Sequence, residues 1–121
     1  HLEELDCFVF DEARVFLSEE EFSLIDKSFE FLKEFSKDKV IYGINTGFGP
    51  MAQYRISDEN QAQLQYNLIR SHANGTGNFL SSEQTRAVML CRFNTLKLGY
   101  SGTSPEIIKL LSDFINHKIY H

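Results

Sequence analysis

Residues 40–49 read VIYGINTGFG, with Gly43, Gly47 and Gly49 close behind one tyrosine, Tyr42. Glycine admits positive φ and lets another chain or a ligand approach the backbone closely. A phenol ionises near pH 10, so Tyr42 can serve as a base at neutral pH only where donors, dipoles or cations stabilise the phenolate. A glycine loop can supply such donors as backbone N–H groups, or carry the tyrosine onto a substrate as part of a lid. The plainer reading of the same residues is a surface loop with tight turns, beside a tyrosine packed on a short strand with its hydroxyl satisfied. The spacing is not a dinucleotide fingerprint, because no helix opens directly after it. Nor is it a P-loop, because no Gly-Lys-Ser/Thr follows.

A second candidate pair is Ser71-His72. His72 follows Leu68 by four residues and Ile69 by three. That spacing sets it on the apolar stripe of a helix end, so a half-buried, satisfied imidazole is expected. Ser101-Gly102 reads as the turn between two helices. His1, His117 and His121 lie at or near the ends and carry no assigned role. No Cys or His pair has zinc spacing, so no metal is expected. Cys7 and Cys91 are far apart and lie in apolar contexts. They read as two buried, reduced thiols of a reducing compartment, which points to the cytoplasm.

These residues must be positioned by a mainly helical unit with a few short strands. Phe8 and Phe10 alternate, as do Val15 and Leu17, which suggests edge strands around Asp11-Glu12. Ser18 with Glu21 makes a capping box, and Phe22, Ile25, Phe29, Leu32 and Phe35 then keep helical spacing up to Lys37. Val40-Ile41-Tyr42 is a brief strand signal. Ser57 caps a helix through Leu64, Leu68 and Ile69, with Gly75 as its left-handed C-cap. Ser81 with Gln84 opens a helix carrying Val88, Met89, Leu90, Cys91, Phe93, Leu96 and Leu98. It is apolar nearly all round, so burial by other elements is expected. Gly99 stops it. Ser104 caps a last helix with Pro105 at its first position, and its stripe is Ile107, Leu110, Leu111, Phe114 and Ile115.

The net charge of −5 argues against a nucleic-acid or anionic-membrane surface as the main partner. No apolar run approaches a membrane span. A length of 121 residues suits one domain or a piece of a larger protein. The nearly all-apolar helix and the abrupt ending at Ile119-Tyr120-His121 suggest a fragment.

Three stretches together resemble the N-terminal part of the aromatic amino acid ammonia-lyases: YGINTGFGPMAQYRI, then LQYNLIRSHANGTG, then NTLKLGYSGTSPE. The resemblance runs in order from about Val40 to Glu106 and is looser before Val40. It implies the N-terminal domain, residues 1–121, of the ammonia-lyase/fumarase-like helical fold. It also implies removal of ammonia from an α-amino acid to give an unsaturated acid. The family's electrophile is a 4-methylidene-imidazol-5-one (MIO), formed from an internal Ala-Ser-Gly. By the resemblance, Tyr42 is the general base for the β-proton, Gly43, Gly47 and Gly49 let its loop close, and Ser71-His72 select the side-chain ring. Histidine is the expected substrate, with tyrosine left open and phenylalanine lyases among the relatives. The resemblance further implies a homotetramer, with the fragment itself a monomer or weak oligomer. This chain contains no Ala-Ser-Gly, so the fragment alone is expected to be inactive. Two further readings stand beside this one: a non-catalytic binding module derived from the lyase fold, and an unrelated helical interaction domain.

Overall fold

The computed structural model describes residues 2–10 and 13–120. Its regular elements among the described residues are helices: α1 (Leu2–Val9), α2 (Glu19–Phe35), α3 (Asp58–His72), α4 (Ser82–Leu96) and α5 (Pro105–Asn116), with one 3-10 turn at Gly49–Met51. The mainly α expectation holds, but the short strands do not form. Residues 2–9 are a helix, because Leu2, Leu5 and Val9 recur at helical spacing and outweigh the two-residue alternation at Phe8 and Phe10. Val15 is extended without a neighbouring strand. Its N–H donates to Asn116 Oδ1 and its carbonyl accepts from Asn116 Nδ2, both at 2.9 Å, so one carboxamide takes the place of a strand edge. Val40 and Ile41 are irregular and lead into a turn at Tyr42. Among the described residues the one bridge of sheet type pairs Thr46 with Arg55. The Asp11-Glu12 corner lies outside the described residues.

The chain gathers into two compact units, His1–Leu32 with Phe79–His121, and Lys33–Asn78. The first contains the apolar core: Val9, Val15, Ile25, Leu90, Phe93, Leu96, Ile108 and Ile115. Two of its helices, α2 and α4, begin with the expected side-chain caps, whereas Ser104 precedes α5 without a side-chain cap bond. Glu21 N–H donates to Ser18 Oγ at 3.1 Å while Ser18 N–H donates to the Glu21 carboxylate at 2.9 Å. Ser81 and Gln84 exchange the same two bonds. These reciprocal bonds satisfy N–H groups that the first helical turn leaves without partners.

Arg86 ties this unit together. It is 3% exposed, and it donates to the carbonyls of Phe8, Ala13 (2.8 Å) and Ile115 (2.7 Å) and to the Tyr120 hydroxyl (3.1 Å). A buried guanidinium is tolerable only when its donors are satisfied this fully. Gly102, at φ +61°, turns the chain from α4 into α5, and its N–H donates to Ser28 Oγ at 3.2 Å. The expected Ser101-Gly102 turn is therefore present.

Several burial expectations are corrected. In α4 the buried face is Arg86, Leu90, Phe93 and Leu96, while Val88 and Cys91 are exposed, as is Leu98 just beyond the helix end. Cys7 is exposed as well. In α5 the buried face is Pro105, Ile108, Ser112 and Ile115. Ile107 and Leu110 of the expected stripe are exposed. The helix carries apolar residues around a wide arc, and its neighbours cover a face rotated from the expected one.

Candidate functional site

The second unit, residues 33–78, contains every residue singled out for chemistry: Tyr42, the loop glycines, and Ser71-His72. After α2 the chain reverses at Tyr42-Gly43-Ile44, with the N–H groups of Ile44 and Asn45 both donating to the Ile41 carbonyl (3.1 and 3.2 Å). Gly43 takes φ +78° and Gly49 takes φ +56°, conformations that an L side chain adopts only with strain. Gly47 is not left-handed. It is buried, and its N–H donates to the Tyr54 carbonyl at 3.2 Å.

The turn is held by residues that the sequence reading passed over. Asn45 is 2% exposed and Thr46 1% exposed. The Asn45 carboxamide donates to the carbonyls of Ser36 (3.0 Å) and Lys39 (2.7 Å). Its Oδ1 accepts the Ile41 N–H at 2.8 Å, and its own carbonyl accepts the Ile56 N–H at 2.9 Å. Thr46 Oγ1 accepts the Gly43 N–H at 3.3 Å and donates to the Gly47 carbonyl at 2.8 Å. An asparagine inside an irregular glycine-rich segment is the available signal. Such a segment has few backbone partners and satisfies its groups through short polar side chains.

Tyr42 stands outside this clamp. It is 63% exposed, and its ring meets Phe48 edge to face, with centroids 5.9 Å apart and planes at 77°. Beside the turn lies a cavity of about 220 Å³ lined by Ser36, Lys37, Ile44, Asn45, Arg55 and Gln61.

His72 is the last residue of α3 and is exposed, where a half-buried ring was expected. Its predicted stripe is scarcely covered: Leu64 and Leu68 are half-buried and Ile69 is exposed. His72 Nδ1 lies 2.9 Å from the Leu68 carbonyl and 3.0 Å from Ser71 Oγ, and Ser71 Oγ donates to the same carbonyl at 2.9 Å. A carbonyl only accepts, so the network assigns the neutral ring's proton to Nδ1 and leaves Nε2 as an acceptor. The helix closes with the Ala73 N–H on the Ile69 carbonyl at 2.8 Å. The left-handed glycine beyond it is Gly77, at φ +93°, and not Gly75 as expected. Among the described residues no hydrogen bond or ring contact joins Tyr42 to Ser71 or His72.

Among the described residues no group of three or more His, Cys, Asp or Glu side chains could hold a metal. No described helix is long and apolar enough to cross a membrane. The MIO tripeptide is absent from the sequence, and its one Ser-Gly follows Tyr100 and is committed to the α4–α5 turn.

The chain is 40% identical over 119 residues to the histidine ammonia-lyase of Legionella pneumophila subsp. pneumophila (strain Philadelphia 1), a match covering 98% of this chain and 22% of that protein. It is 50% identical over 80 residues to the tyrosine 2,3-aminomutase of Chondromyces crocatus, covering 66% of this chain and 15% of that one. The fold is similar to that of the phenylalanine aminomutase of Pantoea agglomerans, with a TM-score of 0.91 and 32% identity over 98% of this chain and 23% of the solved one. The chain thus spans less than a quarter of the length of each of these relatives. The aromatic amino acid lyase model matches residues 1–121, and the chain belongs to that family.

Proposed function

We propose that this chain is the N-terminal part of a histidine ammonia-lyase, which converts L-histidine to urocanate and ammonia without oxidation. The observation that carries the reading is Tyr42 held exposed at a glycine turn whose flanking N–H groups, of Ile41 and Gly43, donate to the buried side chains of Asn45 and Thr46. In this reaction the Cβ–H bond gives its proton to a base and the Cα–N bond leaves with its electron pair as ammonia. The β-proton is weakly acidic, so the base must sit against the β-carbon with water excluded. Tyr42 is that base. The glycines at 43 and 49 supply the backbone conformations that set it there.

His72 reads the ring of the substrate. Its Nε2 acceptor faces away from the Ser71–Leu68 network and suits an imidazole N–H. It suits a phenol hydroxyl as well, so tyrosine lyase activity is the nearest alternative. An aminomutase is a second reading, favoured by the 50% identity to the Chondromyces protein. The chain does not build the family's electrophile, and alone it is expected to turn over no amino acid. Partner subunits in a homotetramer would complete the site.

The test is product identity in the complete enzyme supplied with L-histidine, L-tyrosine and L-phenylalanine. Urocanate as the main product is expected, and His72→Phe should lower histidine turnover relative to the other two. Coumarate from tyrosine, or a β-amino acid, would replace the histidine reading with one of its alternatives. An unchanged preference in His72→Phe would remove that residue from ring selection.

A further inference from the structure

We propose that Asn45, seconded by Thr46, is the positioning residue for Tyr42. The proposal rests on the reading of Tyr42 as the base. The Asn45 carboxamide makes three bonds that no other common side chain of its size can make together. It places two N–H donors on the diverging carbonyls of Ser36 and Lys39, and one oxygen under the N–H of Ile41, the residue before Tyr42. Thr46 Oγ1 takes the N–H of Gly43, the residue after Tyr42. The backbone amides on both sides of the tyrosine are thus gripped by adjacent buried side chains. Among the described residues the ring contact made by the phenol is the edge contact with Phe48. Its approach is set by this grip and not by packing around the ring.

Asparagine is required here and aspartate cannot replace it. A carboxylate would set oxygen against the oxygens of Ser36 and Lys39, which now lie 3.0 and 2.7 Å from Nδ2. Misplacing a reacting group by about 1 Å costs on the order of 100-fold in rate.

The experiment is a double-mutant cycle in the complete enzyme, with Asn45→Asp, Tyr42→Phe and the double variant. Asn45→Asp should lower kcat roughly 10- to 100-fold with KM little changed. In the Tyr42→Phe background it should add little further loss, because its effect passes through the phenol. Faster hydrogen exchange at the Ile41 amide should accompany the loss. Thr46→Ser, which keeps the hydroxyl, should stay near wild type, and Thr46→Val should not. Losses that multiply in the double variant would overturn the proposal, since a general structural effect does not depend on Tyr42. Normal turnover by Tyr42→Phe would remove both the base and the proposal. A severe Tyr42→Phe defect with an indifferent Asn45→Asp would remove the proposal alone. Should Asn45→Asp fail to fold, the same cycle run with Thr46→Val against Thr46→Ser decides the question by the same criterion.

Discussion

In the unit made of His1–Leu32 and Phe79–His121, eight apolar side chains among the described residues are buried together, with Ile25, Ile108 and Ile115 at or near zero exposure. In the unit Lys33–Asn78, the buried residues among those described are Asn45, Thr46 and Gly47. Burial of apolar surface is non-directional and scales with area, about 1.5–3 kcal/mol for each fully buried aliphatic side chain. Hydrogen bonds contribute less each but fix direction, and a buried group left unpaired costs about 1–3 kcal/mol. The first unit therefore gains stability from area. The second gains orientation, which is what a loop presenting a proton acceptor needs. Its most exposed large apolar residues among those described (Val40, Tyr42, Tyr54, Tyr66 and Ile69) are left uncovered by this chain.

Substitutions can break this contrast, and the largest effect is expected in the apolar unit. Ile108→Ala removes a fully buried side chain and should destabilise the chain by about 2–5 kcal/mol in urea titrations. A cost below about 1 kcal/mol would show that the core is not close-packed there. The next effect is that of Asn45→Asp, which should cost about 1–3 kcal/mol although hardly any volume changes. Destabilisation by a near-isosteric swap is the mark of a unit held by donors and acceptors.

The smallest effect sharpens the contrast within the first unit. The Glu21 carboxyl is held below its ordinary value of 4.5, chiefly by the Ser18 N–H that donates to it, with the Lys97 ammonium 3.3 Å away adding to the effect. Partial burial opposes both. Because its folded value lies below its unfolded one, its contribution is present above about pH 4.5 and lost as pH falls through the folded value. Glu21→Gln should flatten that slope and cost about 0.3–1 kcal/mol at pH 7. An unchanged slope between pH 5 and 3 would show that the cap does not carry it.

What was legible in the sequence was local. The capping boxes at Ser18/Glu21 and Ser81/Gln84 need only residues three apart, and both formed. The turn at Ser101-Gly102 was likewise readable. The phase of α5 was not, because Ile107, Ile108, Leu110, Leu111, Phe114 and Ile115 fit either rotation, and tertiary neighbours choose between them. The strand at Val15 failed for a similar reason: Asn116, 101 residues away, supplies the partner. At the site, the roles of Tyr42, Ser71 and His72 came from a motif resemblance, whereas the half-buried ring at His72 was read from its spacing to Leu68 and Ile69, a stripe that the folded chain scarcely covers. Asn45 was quoted within the motif yet given no role, because its importance lies in carbonyls at Ser36 and Lys39 that only the folded turn brings to it.

The central claim is that the tyrosine at the tip of this polar clamp takes a proton from the substrate. The direct measurement is kcat of Tyr42→Phe in the complete enzyme, which removes one hydroxyl and leaves the ring against Phe48. The account predicts a loss of roughly 10²- to 10⁴-fold, the range a positioned general base contributes, with substrate binding retained. Turnover within a few-fold of wild type would contradict it.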